Sequence, residues 1–101
     1  LPDPRASFEV GWFDKTVPAF DVPPHDQLII NIDSDLYSSA VVVLDAMEPH
    51  LVPGTLVYFD ELGDINHELR AWREFLDRTS LKVEPVGMAN GGINWMFRVI
   101  A

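Results

Sequence analysis

A chain of 101 residues makes one domain at most, and at this length folding buries roughly two-thirds of the surface that the unfolded form exposes. Its apolar share of 48% and charged share of 23% are those of an ordinary globular protein, which excludes a disordered or fibrous chain. Sixteen Asp and Glu against seven Lys and Arg leave a net charge of -9, the wrong sign for neutralising phosphates, so nucleic acid and anionic membrane are excluded as partners.

The absence of cysteine rules out a disulfide framework and a thiolate metal site, and permits a reducing compartment. No apolar stretch approaches the ~20 residues that span a bilayer and nothing at the start resembles a signal peptide, so the expected location is cytoplasmic. The opening run Leu1-Pro2-Asp3-Pro4-Arg5 is polar and proline-punctuated, and it reads as part of something longer. The expected organisation is a single partial domain over residues 1–101, with 1–6 and 21–27 as loop or linker.

In chain order, Ser7 to Val10 is a short β-capable run ending at Gly11, and Phe13 to Phe20 holds a helical turn that Pro23-Pro24 stops. Leu28 to Ile32 is almost continuously apolar, which suits a parallel strand covered on both faces. Ser38 or Ser39 then caps a helix with Ala40, Val43, Leu44, Met47 and Leu51 at helical spacing, although the β-branched run Val41-Val42-Val43 also suits a strand. Pro53-Gly54 turns the chain into Thr55 to Phe59, which completes a right-handed strand-helix-strand unit.

After Gly63-Asp64, Asn66 or Asp64 caps a second helix with Leu69, Trp72, Phe75 and Leu76 on its apolar face and a Glu74–Arg78 pair outside. Leu81 to Ala89 and Ile93 to Ile100 flank Asn90-Gly91-Gly92, a hairpin signal. The resulting class is α/β: a Rossmann-like half-domain with parallel strands, flanking helices and a C-terminal antiparallel hairpin. Its Leu28–Ile32 strand is too apolar for a free edge, so it calls for a missing N-terminal half or for a second copy of the chain.

The chemistry-bearing feature is acidic. Asp33 and Asp35 end the first strand, and Asp60 and Glu61 end the second. If those strands are parallel neighbours, the four carboxyl groups share the C-terminal edge, where open α/β sheets place ligands. Carboxylates about 4 Å apart repel by roughly 4 kcal/mol at an effective dielectric near 20, so such a group calls for a cation, a proton or a basic partner. The duller reading, helix capping or plain solvation, weighs as much as chemistry for Asp35, which Ser38 and Ser39 follow. No two of His25, His50 and His67 have zinc-helix spacing; His50 and His67 are expected at the surface. Tyr37 is expected to pack at a helix start, Trp72 in the core, and Trp12 toward a ligand.

The ordered set Gly11-Trp12-Phe13 with Thr16-Val17-Pro18, Asp33-Ser34-Asp35-Leu36-Tyr37-Ser38-Ser39, Pro53-Gly54 and Phe59-Asp60-Glu61 resembles the C-terminal half of class I S-adenosylmethionine-dependent methyltransferases of the macrocin O-methyltransferase type. The likeness runs over about residues 8 to 76. It implies a Mg²⁺-like cation on Asp33, Asp60 and Glu61, with Asp35 as a further ligand or as the base, and Asp33 and Asp35 as the catalytic pair. The implied reaction passes a methyl group from S-adenosylmethionine to a hydroxyl of a small molecule, a sugar being one such acceptor. Glu61 stands where that family more often has Asp. The glycine-rich turn and the ribose-binding acid of such enzymes have no counterpart here, so no cofactor-binding residue is assigned and the isolated chain is expected to be inactive. Two other classes stay open: a nucleotide-sugar glycosyltransferase using Asp33 and Asp35 as its D-x-D, and a non-catalytic half-domain that dimerises through its sheet edge.

Overall fold

The computed structural model describes residues 3–63 and 65–101. It is an α/β fold in which α1 (Phe13–Ala19), α2 (Tyr37–Met47) and α3 (Glu68–Thr79) accompany a mixed sheet of β1 (Ile29–Ile32), β2 (Leu56–Phe59), β3 (Val83–Ala89) and β4 (Asn94–Val99). The strand order is β1-β2-β4-β3; β1 and β2 run parallel, and the other two pairings are antiparallel.

Period-two alternation sets the two faces of the sheet. Ile32, Val57, Phe59 and Val99 are buried on one face, where Ala40 and Leu44 of α2 and Ala71, Trp72 and Phe75 of α3 close over them. Trp72 is the hub: its ring centroid lies 4.9 Å from Phe59, 5.3 Å from Phe97 and 6.1 Å from Phe75. On the other face none of Ile29, Asn31, Leu56, Tyr58, Met96 and Arg98 is buried. The expected cover on both faces is therefore present on only one among the described residues, and β1 is the sheet edge, with Ile29 57% exposed.

The Pro53-Gly54 turn is tied at both ends. Gly54 adopts a φ of 98° that a side chain would strain, its N–H reaches Val99 O at 2.8 Å, and Gln27 Nε2 donates to its carbonyl at 2.9 Å. The hairpin forms as its Asn-Gly-Gly signal suggests, with a register shift between Pro85 and Gly87.

Four local expectations need correction. Ser7 to Val10 forms no strand; Phe8 and Val10 are exposed, and no described strand pairs with that run. Neither Ser38 nor Ser39 caps α2, because the helix starts earlier: Leu36 is the N-cap and makes no side-chain cap bond. His67, not Asn66, is the N-cap of α3, while Asp64 lies outside the described residues. Arg78 does not pair with Glu74; it crosses to α2, reaching Asp45 at 2.6 Å and Glu48 at 3.5 Å. Side-chain reach between packed helices wins there over spacing along one helix.

Candidate active site at the C-terminal edge of the parallel strands

Parallel register places the two acidic segments side by side. Ile32 pairs with Phe59, and the next amide, Asp60 N–H, donates to Ile32 O at 3.1 Å, so Asp33 and Asp60 leave the same end of neighbouring strands. Asp60 is half-buried, whereas Asp33, Asp35 and Glu61 are exposed. Asp35 takes a left-handed backbone conformation, φ 62°, which aspartate tolerates better than most residues. Among the described residues none of these four carboxylates is in an ion pair, and no three His, Cys, Asp or Glu side chains are gathered into a set that could hold a metal ion.

What binds the two loops together is a residue the acidic motifs do not include. Glu68, the first residue of α3, is fully buried. Its Oε2 accepts the Ser34 and Asp35 N–H groups at 3.2 and 3.1 Å, and its Oε1 accepts the Glu61 N–H at 3.0 Å. Next to it, half-buried His67 accepts the Tyr37 N–H at Nδ1, 3.1 Å away, and so supplies from another helix the cap that α2 lacks. That bond requires the neutral imidazole with its proton on Nε2. His67 was expected at the surface; its place in the cap has no signal along the chain. From the far side, Asn94 Nδ2 donates to Asp60 O, and Asn90 Nδ2 to Asn94 Oδ1.

Tyr37 is committed elsewhere than to the acidic edge. Its hydroxyl donates to Glu74 Oε1, and the Arg70 guanidinium lies 4.1 Å over its ring while also donating to Glu74 at 3.3 Å. The bond to Glu74, then partial desolvation and the Glu74 charge, hold the phenol above its ordinary value; the same bond, aided by Arg70, holds the Glu74 carboxyl below its own. A raised phenol contributes below its unfolded value and is lost as pH rises through the folded one; a lowered carboxyl contributes above its unfolded value and is lost as pH falls through the folded one. The α2–α3 tether is thus intact from roughly pH 5 to 10 and weakens outside that window. In a Tyr58→Phe background, where Tyr37 is the remaining tyrosine, phenolate absorbance should show a midpoint above the ordinary tyrosine value that Glu74→Gln lowers. An unchanged midpoint would remove the bond from the account.

Two clefts flank the acidic tips. One, of about 330 Å³, is lined by Trp12, Phe13, Leu36, Ser39 and Val42, with Trp12 83% exposed. The other, of about 460 Å³, is lined by Leu62, Leu69, Trp95 and Phe97 and begins one residue after Glu61. A polar edge between two apolar clefts suits a small-molecule ligand.

No curated protein matches the chain. The family described as Macrocin-O-methyltransferase (TylF) matches residues 1–96, a span that takes in both acidic segments, the Pro-Gly turn, Glu68 and Trp72. The chain belongs to the macrocin O-methyltransferase family.

Proposed function

We propose that this chain supplies the acceptor-facing half of the site of an S-adenosylmethionine-dependent O-methyltransferase acting on a hydroxyl of a small molecule. Family membership implies the methyl donor and the reaction class. The observation that carries the rest is the register at Ile32 and Phe59, which sets Asp33 beside Asp60 at the ligand-binding edge of the sheet.

A divalent cation such as Mg²⁺ belongs to this reading: Asp33, Asp60 and Glu61 would hold it, and since their side chains are not gathered into a ready-made metal set, water and the acceptor would have to complete its shell. The donors are all oxygen, no described basic residue neutralises them, and Mg²⁺ needs only one or two carboxylates beside water and substrate. Bound there, it supplies Lewis acidity toward the acceptor oxygen. The chain's own part is to orient that oxygen and take its proton. As the oxygen displaces the sulfonium in line and the carbon–sulfur bond breaks, the hydroxyl proton passes to Asp35, with Asp33 holding the oxygen in place.

The cofactor half of the site is assigned to elements outside these residues. The free edge of β1 and the bare face carrying Ile29, Leu56, Tyr58 and Met96 suit docking of the remaining half of the methyltransferase fold or of a second copy, and the chain alone is then inactive. No described helix is long and apolar enough to cross a membrane, and a cytoplasmic location goes with this reading.

Calorimetry on this chain and on the longer polypeptide we take it to belong to tests the assignment. S-adenosylhomocysteine should bind the longer polypeptide and not the chain, and Mg²⁺ should bind both. Binding of a UDP-sugar in place of S-adenosylhomocysteine would hand the D-x-D segment to glycosyl transfer.

A further inference from the structure

We infer that Glu68 is a positioning residue that couples the two acidic loops, so that its carboxylate, without touching substrate, sets how Asp33 and Asp35 stand relative to Asp60 and Glu61. This rests on the proposed function in that those four acids are its working groups.

A fully buried carboxylate with no cationic partner costs several kcal/mol unless hydrogen bonds replace its water. Among the described residues no Lys, Arg or His pairs with Glu68. Its charge is met by three backbone N–H groups and by the positive end of its own helix. Packing alone does not call for an acid here. Glu68, Ala71, Trp72 and Phe75 form one buried i, i+3, i+4, i+7 stripe, and an apolar residue would fill the first position without the desolvation cost.

What an acid adds is two acceptor oxygens aimed at different strands. One holds the amides of Ser34 and Asp35 after β1, the other that of Glu61 after β2. Each acid of the edge is thereby a bonded residue or the immediate neighbour of one. Asp35, at its left-handed φ of 62°, donates its N–H into this contact. Glutamine has the same shape but a single acceptor oxygen, and its NH₂ would face an N–H, so Glu68→Gln must lose at least one of the three bonds.

The experiment uses the full chain and three readouts. Amide exchange at Ser34, Asp35 and Glu61 should speed up about tenfold in Glu68→Gln beyond any change at core amides such as Phe59, the signature of one local bond lost. Mg²⁺ affinity should fall about 10- to 100-fold, as when a residue orienting metal ligands is removed, and Glu68→Asp, which restores the second acceptor oxygen, should recover part of it. Should Glu68→Gln fail to fold, nitrogen–carbon couplings across the three hydrogen bonds in the unsubstituted chain decide the geometry, and their absence overturns the inference.

Uniform acceleration of exchange across the chain would make Glu68 a stability residue only and overturn the inference. So would local acceleration with unchanged Mg²⁺ affinity in a chain where Asp33→Asn abolishes binding, although the proposed function would then survive. Lack of Mg²⁺ binding by the unsubstituted chain would instead count against the metal reading, and the exchange pattern at the three amides would still decide the coupling of the loops.

Discussion

Asp33→Asn or Asp60→Asn should lower methyl-transfer turnover by about 100-fold or more while leaving S-adenosylhomocysteine affinity within about twofold. The asymmetry follows from where the residues stand. Both leave the same ends of β1 and β2, which the proposed function makes the acceptor edge, and that proposal gives neither a part in holding the cofactor. Asparagine keeps the side-chain size and one acceptor oxygen but removes the charge that attracts a cation and favours loss of the hydroxyl proton. The backbone should tolerate the change, because the bonds that fix these loops come from Glu68 and Asn94 rather than from the carboxylates of Asp33 and Asp60. Steady-state rates across a Mg²⁺ titration, with calorimetry of the donor product, separate the two effects. Turnover within a factor of about two of the unsubstituted enzyme for both variants would leave the acidic edge without a catalytic part.

The frame of this fold was readable from local patterns because the forces that make it are local or periodic. Two apolar runs, each closed by acids and joined by a helix-length segment and a Pro-Gly turn, leave little choice but parallel neighbours. The hairpin announces itself through Asn90-Gly91-Gly92, and β4 then inserts between β2 and β3, which makes β3 one edge of the sheet and β1 the other. The β-branched run in α2 did not make it a strand, because Ala40, Leu44 and Met47 bury a helical stripe against the sheet.

Contacts made across the fold were not readable. Glu68 looks like an acid placed at a helix start for the dipole, and only its position in the stripe of Ala71, Trp72 and Phe75 hints that it points inward. That hint is available along the chain: a carboxylate in phase with the apolar face must find donors or force the helix to turn. Nothing comparable marks His67 as the acceptor for the Tyr37 amide, or Arg78 as the partner of Asp45, since each depends on how α2 and α3 cross. Leu69 and Leu76, expected on the apolar face with Trp72 and Phe75, do pack against the core, but half-buried, because the fully buried stripe runs through Glu68, Ala71, Trp72 and Phe75.

The largest stability effect should come from Trp72, and comparison of two substitutions shows why. Trp72→Ala empties the junction of Phe59, Phe75 and Phe97 and should cost about 3–5 kcal/mol, a large part of the 5–15 kcal/mol typical of a whole domain. At roughly 4–8 °C per kcal/mol, the melting temperature falls by at least about 12 °C. Trp72→Phe should be far milder than loss of ring volume alone suggests. The indole Nε1–H is buried and has no hydrogen-bond partner among the described residues, so the native state already bears the roughly 1–3 kcal/mol of an unsatisfied donor. Phenylalanine removes that donor together with part of the ring and keeps an aromatic face for Phe59 and Phe97. The two terms oppose each other, and the net loss should stay below about half that of the alanine variant. Thermal unfolding followed by circular dichroism measures both. Equal losses for alanine and phenylalanine would mean that the indole nitrogen has a partner such as a buried water, and that the tryptophan is held by a bond as well as by packing.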